Sequence, residues 1–360
     1  MSDKIRIIVI GCGHMGSSHA TAYRQLDGFE LVGLVARNPQ RLEKAAHQAG
    51  LGDIRQFTDF DKAVEKLKPD AVCICTYPDT HADYAIRAIK AGLHVFVEKP
   101  IAETVEQAQK VVNLAKDKDK KVVVGYILRH HPVWIKFINL AHSLGKPLVM
   151  RMNLNQQSKG AEWLCHKNLL ASMSPIVDCG VHYVDVMCQM TRTKPIQVQA
   201  IGARMSDEIS TDMYNYGQLQ VVFEEGSVGW YEAGWGPMMS RTAFFVKDVI
   251  GPKGSISIVG PGDDGKSSSD DVDSHTKTNR LLIHSSTLND EGNFVNEDKL
   301  LDTSDEPDHL GLCKREQDYF LKAIRENIDL SDHLFAAVNS LRIVLAADES
   351  VHTGKVVNLK

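Results

Sequence analysis

The chain has 360 residues, of which 43% are hydrophobic and 24% are charged, and its formal net charge at pH 7 is -5. This length predicts two domains, and no apolar run in the sequence approaches the length of a membrane span. The sequence is slightly acidic and contains no block of Lys and Arg residues. This argues against nucleic acid or an anionic membrane as the main partner and favours a small molecule.

The first predicted strand begins within a few residues of Met1, which leaves no room for a signal peptide, so we expect a cytoplasmic protein. The seven cysteines are odd in number and scattered, and Cys12, Cys73 and Cys75 lie in apolar segments. We therefore expect reduced thiols. Because no second cysteine pair at zinc-site spacing accompanies Cys73 and Cys75, the sequence predicts no metal site.

The first third of the chain alternates strands with helices. Short β-branched runs predict the strands, namely IRIIVIG (5–11), ELVGLVA (30–36), DAVCIC (70–75), HVFVEKP (94–100) and KVVVGY (121–126). Helical patterns between them end at Gly50 and Gly92, residues suited to a left-handed helix terminus. We expect an α/β fold with a doubly wound parallel Rossmann sheet over residues 1–125.

The character of the sequence changes after residue 125. Helical stretches at 131–145 and 174–190 precede strand-like runs at 218–235, 241–251 and 254–260, and two amphipathic helices close the chain at 315–330 and 333–354. This predicts an α+β domain over 126–360, built on a large, mainly antiparallel sheet, with C-terminal helices that pack on it or back on the first domain. The Gly, Ser and Asp-rich segment 260–279 predicts a solvated loop.

A glycine-rich turn, VIGCGHMGSSHA at 9–20, follows the first strand and opens a helix. In a dinucleotide-binding turn, Gly11 allows the tight bend, Gly13 lets the backbone approach a pyrophosphate, and Gly16 lets the helix pack on the strand. The unpaired N–H groups of the helix N-terminus then face the phosphates. His14 and Met15 fill variable positions of this predicted cofactor-binding turn and need no chemical role.

The end of the second strand predicts the cofactor. NAD-binding proteins of this fold carry an acidic residue there, whereas this sequence reads Ala36-Arg37-Asn38. Arg37, with Arg41 one turn later, suits a 2′-phosphate, so we expect NADP. The alternative is that Arg37 is a solvated loop residue and that NAD, or either cofactor, is used.

Two further segments carry candidate catalytic groups. Glu98-Lys99-Pro100 ends a parallel strand at the carboxyl edge, where ligands bind in this architecture. Pro100 restricts Lys99 to extended geometry, which points the side chains of Glu98 and Lys99 in opposite directions.

The second segment is SPIVDCGVHYVDVM at 174–187, with Ser174 as the expected N-cap and Pro175 at the first helical position. Asp178, His182 and Asp185 then share one helix face, and Gly180 indicates a close approach.

A histidine supported by a carboxylate has a pKa suited to removing an alcohol proton, as His182 with Asp178 would be. The alternative is an ordinary buried histidine and an aspartate at a helix start. We expect Trp163 and His166 in a loop before this helix. They could line a sugar pocket, with the Trp163 indole stacking on an apolar ring face, and the alternative is that Trp163 only packs in the interior.

Taken together, GCGHMG, CTYPDTHADYAIRAIKAGLHVFVEKP, DCGVHYVDVM and AADESVHTGKVVNL closely resemble the Gfo/Idh/MocA family over essentially the whole chain. These proteins are NAD(P)-dependent oxidoreductases of sugars, cyclitols and related polyols. The resemblance implies a Rossmann domain followed by a domain whose open sheet forms a homodimer or homotetramer.

The resemblance also implies roles for individual residues. Lys99 would polarise the substrate oxygen and contact the cofactor, His182 would be the acid/base, and Asp178 would orient substrate or histidine. The expected dinucleotide-lining residues are Thr76, Tyr77, His81 and Glu98, and the expected substrate-binding residues are Lys99, Tyr126, Trp163, Asp178 and His182.

The sequence departs from the family pattern after Arg129. His130 and His131 stand where an aromatic residue is common, which leaves the role of Arg129 open. We expect this histidine pair at the surface.

The sequence thus predicts an enzyme that moves a hydride between a nicotinamide and a ring carbinol or ketone of a sugar, sugar derivative or cyclitol. One alternative is an NADPH-dependent ketosugar reductase. Another is a non-catalytic dinucleotide-binding sensor, which would not need Lys99, Asp178 and His182.

Overall fold

A computed structural model describes residues 4–240, 245–259 and 276–359. The chain divides into two compact units. Unit 1 comprises Met1–Ile127 and Pro307–Asn339, and unit 2 comprises Leu128–Glu306 and Ser340–Lys360. The C-terminal part of the chain therefore contributes to both units.

Unit 1 contains a six-stranded parallel sheet in the order β3-β2-β1-β4-β5-β6. Its strands are β1 (Ile5–Ile10), β2 (Phe29–Val35), β3 (Gln56–Phe57), β4 (Ala71–Ile74), β5 (His94–Val97) and β6 (Val122–Val124). This is the strand order of a Rossmann fold, and it confirms the predicted class. The central strands are buried, which explains their continuous apolar runs.

Five helices connect these strands, namely α1 (His14–Arg24), α2 (Pro39–Gln48), α3 (Phe60–Leu67), α4 (His81–Lys90) and α5 (Val105–Asp117). Asn38, Asp59 and Thr104 cap α2, α3 and α5 by accepting bonds from backbone N–H groups of the first turn. Gly50 and Gly92 follow α2 and α4 with positive φ, as expected. Helices α1 and α4 begin without a side-chain cap from the described residues.

Unit 2 contains a nine-stranded sheet in the order β14-β13-β12-β11-β7-β10-β9-β8-β15. Its strands are β7 (Val149–Gln157), β8 (Pro195–Ala203), β9 (Tyr216–Phe223), β10 (Val228–Gly236), β11 (Lys247–Gly251), β12 (Gly254–Val259), β13 (Arg280–Ser285), β14 (Lys299–Asp302) and β15 (Val357–Asn358). Only the β7–β10 pair is parallel among the described strands of this sheet, which confirms the mainly antiparallel prediction.

The helices of unit 2 are α6 (Pro132–Ala141), α7 (Gly160–Leu169), α8 (Pro175–Asp178) and α9 (Gly180–Thr191). The helix predicted over 174–190 is therefore divided at Cys179, although Ser174 caps it as expected. The expected loop around Trp163 is wrong, because this residue lies inside α7.

Two long helices close the chain, α10 (His309–Arg325) and α11 (Ser331–Thr353). Asp308 caps α10, which begins six residues before the predicted start at 315. Residues 260–275 of the predicted solvated loop lie outside the described residues, whereas Thr276 and Thr278 are buried, so that prediction is wrong at these two positions. Among the helices that the structure describes, none has the length and hydropathy of a membrane span.

Candidate functional site

The glycine turn after β1 has a different constraint at each of its three glycines. Gly11 has φ +86°, and a Cβ there would lie 2.3 Å from the carbonyl oxygen of Cys75. A Cβ on Gly16 would lie 1.8 Å from the Gly11 carbonyl oxygen, whereas a Cβ on Gly13 would meet no heavy atom of the described chain within 4 Å. Two glycines are thus required for packing, and the third lies beside open space. This is the arrangement that lets a pyrophosphate approach the backbone, so the turn fits a dinucleotide.

Helix α1 begins directly after Gly13, with exposed His14 and half-buried Met15 in its first turn. The His14 ring lies 5.5 Å from that of His309, centroid to centroid. Both residues are from unit 1. Binding of a cofactor by His14 and Met15 stays a prediction.

The end of β2 is open to solvent on one side. Ala36 is half-buried and its N–H donates to the carbonyl of Phe57 at 3.1 Å, while Arg37 and Arg41 are exposed. Asn38 caps α2 between them by accepting a bond from the Gln40 N–H at 2.9 Å. Positions 36–38 contain no carboxylate that could bind a ribose 2′-hydroxyl. The guanidinium groups of Arg37 and Arg41 are present in this segment instead.

His81 lies in the interior of unit 1, between two loop segments. Its Nδ1 is 2.7 Å from the Pro100 carbonyl oxygen and its Nε2 is 3.0 Å from the Thr76 carbonyl oxygen. Burial lowers the pKa of His81, although both carbonyls act in the opposite direction. A neutral ring has one N–H, so it donates to one of these two carbonyls. His81 therefore braces the loops after β4 and β5 from inside.

The loop after β4 also contains two residues of the expected dinucleotide path. Thr76 and Tyr77 are half-buried, and the Thr80 hydroxyl donates to the Thr76 hydroxyl oxygen at 2.7 Å. Their contact with a cofactor stays a prediction.

Glu98, at the end of β5, is buried and faces α1. Its Oε1 lies 2.8 Å from His19 Nε2, and its Oε2 accepts a bond from the Lys99 backbone N–H at 3.3 Å. Burial opposes ionisation of Glu98, but His19 and then Lys99 offset it, and the pKa of this carboxyl lies below its usual range. Lys99 itself is half-buried.

His19 is fully buried and has further partners on the side away from Glu98. The side-chain amide of Gln317, from α10, lies 2.9 Å from His19 Nδ1 and 2.5 Å from the Tyr23 hydroxyl, and it presents its oxygen to Nδ1 when the imidazole is protonated. Burial alone would lower the pKa of His19, but Cys73 and Glu98 raise it to about 9. A hydrogen-bonded chain of four side chains thus links the end of β5 to α1 and α10.

Asp178 and His182 lie on either side of the junction between α8 and α9, and both are buried. Asp178 Oδ2 accepts a bond from the Cys179 thiol at 3.4 Å. At Gly180, a Cβ would lie 3.3 Å from the Tyr231 ring and 3.2 Å from Val344, which confirms the close approach predicted there. The catalytic roles of Asp178 and His182 stay predictions.

Asp185, the third residue of that predicted face, is held in a buried ion pair. Arg129 donates to its two carboxylate oxygens at 2.8 and 2.6 Å, and Gln189 donates to one of them at 2.9 Å. The prediction that His130 and His131 lie at the surface is wrong for His131. That ring is 0% exposed, caps α6 and lies 3.4 Å from Glu306.

Trp163 and His166 both project from α7. The Trp163 indole is buried, and its N–H donates to Glu208 at 3.1 Å. The His166 ring stacks on Trp235 with centroids 4.5 Å apart. Tyr126, in unit 1, is 1% exposed, with its ring 6.4 Å from that of His333. Contact of Trp163 and Tyr126 with a substrate stays a prediction.

Sequence reasoning missed His19 and its partner Gln317. The available signal was a polar residue on the buried face of α1, where Gly16, His19, Ala20 and Tyr23 recur at helical spacing. A histidine on such a face needs a partner, but the sequence does not say that α10, about 300 residues later, supplies one.

The chain matches two family models. Residues 5–126 match the model described as an oxidoreductase family with an NAD-binding Rossmann fold, and residues 139–257 match the GFO/IDH/MocA C-terminal domain.

Curated relatives share part of their length with this chain. UDP-N-acetylglucosamine 3-dehydrogenase of Acidithiobacillus ferrooxidans is 30% identical over 199 residues, which cover 55% of this chain and 58% of the relative. The scyllo-inositol 2-dehydrogenase (NAD(+)) of Bacillus subtilis is 27% identical over 271 residues, which cover 72% of this chain and 75% of that protein. The first of these relatives is therefore matched over little more than half its length.

Solved structures share the fold over nearly the whole chain. The aldose-aldose oxidoreductase of Caulobacter crescentus, complexed with glycerol, has a TM-score of 0.77 at 19% identity, covering 99% of this chain and 100% of that one. The structure of the A. ferrooxidans UDP-N-acetylglucosamine 3-dehydrogenase has a TM-score of 0.75 at 22% identity, covering 97% and 98%. At these identities the likeness shows the fold.

Proposed function

We propose that this chain, which belongs to the GFO/IDH/MocA family of oxidoreductases, is an NAD(P)-dependent dehydrogenase. The proposed reacting group is a ring CH–OH of a sugar, sugar derivative or cyclitol. The observation that carries the proposal is the glycine turn, which is closed by backbone at Gly11 and Gly16 and open at Gly13. The names of the curated relatives, a nucleotide-sugar dehydrogenase and an inositol dehydrogenase, support the substrate class.

NADP is the cofactor we propose, with NAD as an alternative or in dual use. The support is the Ala36-Arg37-Asn38 sequence after β2 and the exposure of Arg37 and Arg41. A guanidinium donates short, charge-assisted hydrogen bonds to phosphate oxygens, whereas a carboxylate accepts the hydrogen bond of a ribose hydroxyl. The first-turn N–H groups of α1, after Gly13, would bind the pyrophosphate.

Three side chains are proposed for the chemistry. When bound, the nicotinamide accepts or returns the hydride. His182 takes the hydroxyl proton during oxidation and returns it during reduction, and Asp178 orients this imidazole or the substrate. Lys99 stabilises the negative charge that develops on the substrate oxygen. The reductase alternative uses the same groups in reverse.

We also propose that the chain forms a homodimer or homotetramer through the open face of the unit 2 sheet. Val149 on β7 is directly opposite Val228 on β10 and Ile250 on β11, and all three are about 40% exposed. Adjacent apolar residues on one sheet face are typical of an interface. Light scattering should therefore find an oligomer, and Val228→Arg should convert it to monomer with far-UV circular dichroism unchanged. We propose a cytoplasmic location, which the odd number and scattered positions of the seven cysteines support.

The function is tested by following absorbance at the reduced-nicotinamide wavelength with purified protein, NADP+ or NAD+, and a panel of inositols, aldoses, glycosides and nucleotide sugars. Steady turnover of at least one panel member, above a no-substrate control, is expected. Assays with ketosugars and NADPH test the reverse direction. Absence of turnover in both directions, with dinucleotide binding retained, would favour the sensor.

A further inference from the structure

We infer that Asp348 and Tyr214 are positioning residues, which orient the Ser174 hydroxyl as the N-cap of α8 and so hold that helix in place. This inference rests on the proposed function, in which Asp178 at the end of α8 and His182 beyond it carry the proton chemistry. A small misplacement of such groups lowers turnover even when the substituted residue touches no substrate.

Helix α8 has four residues, Pro175–Asp178, and depends on Ser174 for its first turn. The backbone N–H groups of Asp178 and Val177 donate to the Ser174 carbonyl oxygen at 3.0 and 3.1 Å, and that of Val177 also donates to the Ser174 hydroxyl oxygen at 3.4 Å. A helix this short has little stability of its own. The position of Asp178 is therefore set by Ser174 and by the groups that hold Ser174.

An N-cap hydroxyl must present a lone pair to the helix rather than its hydrogen. Ser174 Oγ lies 2.8 Å from Asp348 Oδ1, on α11, and 2.8 Å from the Tyr214 hydroxyl oxygen, which is itself 2.6 Å from Asp348 Oδ1. These three oxygens share the two hydroxyl hydrogens, and the carboxylate oxygen accepts only. The hydrogen of Ser174 is thus directed away from the Val177 N–H, and a lone pair faces that N–H instead.

Tyr214 is 4% exposed and packs against two glycines that pair across β8 and β9. Gly202 is opposite Gly217, and a Cβ on either would lie 2.8 Å from a carbon of the Tyr214 ring. A Cβ on Gly217 would also lie 2.7 Å from Ile176 of α8. Glycine inside a strand marks the close approach of another group. Burial, and then the charge of Asp348, raise the pKa of Tyr214 well above its usual range, so the hydroxyl of this closely packed ring remains a donor.

Helix α11 meets this part of the chain at a second point. A Cβ on Gly180, the first residue of α9, would lie 3.2 Å from Val344, one turn before Asp348 on α11. The Asp348 carboxylate also lies 3.5 Å from His352 Nε2, but this pair is open to solvent and contributes little. The same helix therefore contacts the start of α8 through Asp348 and the start of α9 through Val344.

The test compares Asp348→Leu with Asp348→Asn, which has nearly the same shape but keeps an oxygen that accepts a hydrogen bond. Asp348→Leu should lower kcat by about tenfold or more, with the dinucleotide Kd within about threefold of the wild-type value, because the glycine turn belongs to unit 1. Asp348→Asn should retain most of the wild-type kcat. Glu349→Leu, at the exposed next position of α11, and His352→Leu are the controls and should match the wild type. Equal kcat in Asp348→Leu and Asp348→Asn would overturn the inference.

Double variants separate a role through Ser174 from a merely structural one. In Ser174→Ala the cap hydroxyl is already lost, so adding Asp348→Leu should lower kcat by less than about twofold further. In Ser174→Asp the cap accepts without help, but two carboxylates face each other, so adding Asp348→Leu should raise kcat instead. If Asp348→Leu lowers kcat by the same factor with serine, alanine or aspartate at position 174, the inference is overturned.

Amide hydrogen exchange, read residue by residue with mass spectrometry, needs no turnover. Asp348→Leu should speed exchange at the Val177 and Asp178 N–H groups by about tenfold, whereas the amides of β4 and β5 in unit 1 should exchange as in the wild type. If this pattern holds in a protein that turns over no sugar or polyol, the proposed function fails and the positioning of α8 stands. If the two amides exchange alike in Asp348→Leu and Asp348→Asn, the inference fails.

If Asp348→Leu does not melt cooperatively, Asp348→Ala replaces it, because alanine is a good helix former and needs no additional space. Ser174→Thr and Ser174→Ala are then compared as well. The threonine keeps a hydroxyl cap and should retain most of the activity, whereas the alanine should lose it by about tenfold or more. Equal activity of these two variants would also contradict the inference.

Discussion

Arg129 donates two hydrogen bonds to the carboxylate of Asp185, from Nε at 2.8 Å and from Nη2 at 2.6 Å. The Asp185 side chain is 2% exposed, so this carboxylate is paired in the interior of unit 2. The second aspartate of DCGVHYVD therefore stabilises the fold, and the proposed proton chemistry falls to His182 and Asp178.

Asp185→Asn should lower the free energy of unfolding by about 3 kcal/mol or more, because it leaves the Arg129 charge without its buried counterion. Urea unfolding at pH 7 measures this. The control is Glu30→Gln, in the exposed Arg6–Glu30 pair, which should cost less than about 1 kcal/mol. Equal losses in the two variants would show that the Arg129–Asp185 pair is not a buried stabilising contact.

Local signals in the sequence predicted the Rossmann strands and the ends of α2 and α4, because β-branched runs and glycines act over a few residues. They did not predict the burial of His131 or the His19–Gln317 contact. Both depend on residues far along the chain, at Glu306 and Gln317. The helix division at Cys179 was also missed, since Ser174 and Pro175 fix only where that segment begins.

The glycine turn predicts a separation of folding from cofactor binding. Gly13→Val should leave the melting temperature nearly unchanged but weaken dinucleotide binding by about tenfold or more, since its side chain would fill the space needed by the pyrophosphate. Gly16→Ala should instead lower stability, because its Cβ meets the Gly11 backbone. Thermal melting and a fluorescence titration with NADPH measure the two effects. Unweakened binding in Gly13→Val would place the cofactor elsewhere.

Arg37→Ala tests the cofactor preference. Losing charge-assisted bonds to a 2′-phosphate should raise the Kd for NADP+ by about tenfold, while the Kd for NAD+ stays the same. Isothermal titration with both dinucleotides measures this. Lys110→Ala, which removes an exposed charge from α5, is the control for general electrostatics. Equal effects of Arg37→Ala on both cofactors would contradict a 2′-phosphate contact.

Stability should depend on pH through His19. Burial opposes its protonation, but Cys73 and Glu98 raise its pKa in the folded protein to about 9, from an unfolded value of 6.5. Because the folded protein binds this proton more tightly than the unfolded chain, protonation of His19 stabilises the fold. This stabilisation is fully present below pH 6.5 and is lost as the pH rises through about 9. The difference in unfolding free energy between the wild type and His19→Gln should therefore shrink between pH 6.5 and pH 9.5. His47→Gln should show no such trend, and a constant difference for His19→Gln would argue that the ring is neutral.

The most direct test of the proposed chemistry follows deuterium. A substrate from the panel, deuterated at the ring carbon that bears the reacting hydroxyl, is incubated with NADP+ and the protein, and the cofactor is analysed by mass spectrometry. The wild-type protein should transfer one deuterium to the nicotinamide, and His182→Ala should do so about 100-fold more slowly with cofactor binding retained. His47→Ala, at an exposed position of α2, is the control. If the wild-type protein binds dinucleotide but leaves the cofactor unlabelled, this result would contradict the assignment as a dehydrogenase. If His182→Ala transfers deuterium at the wild-type rate, this histidine takes no part in the mechanism.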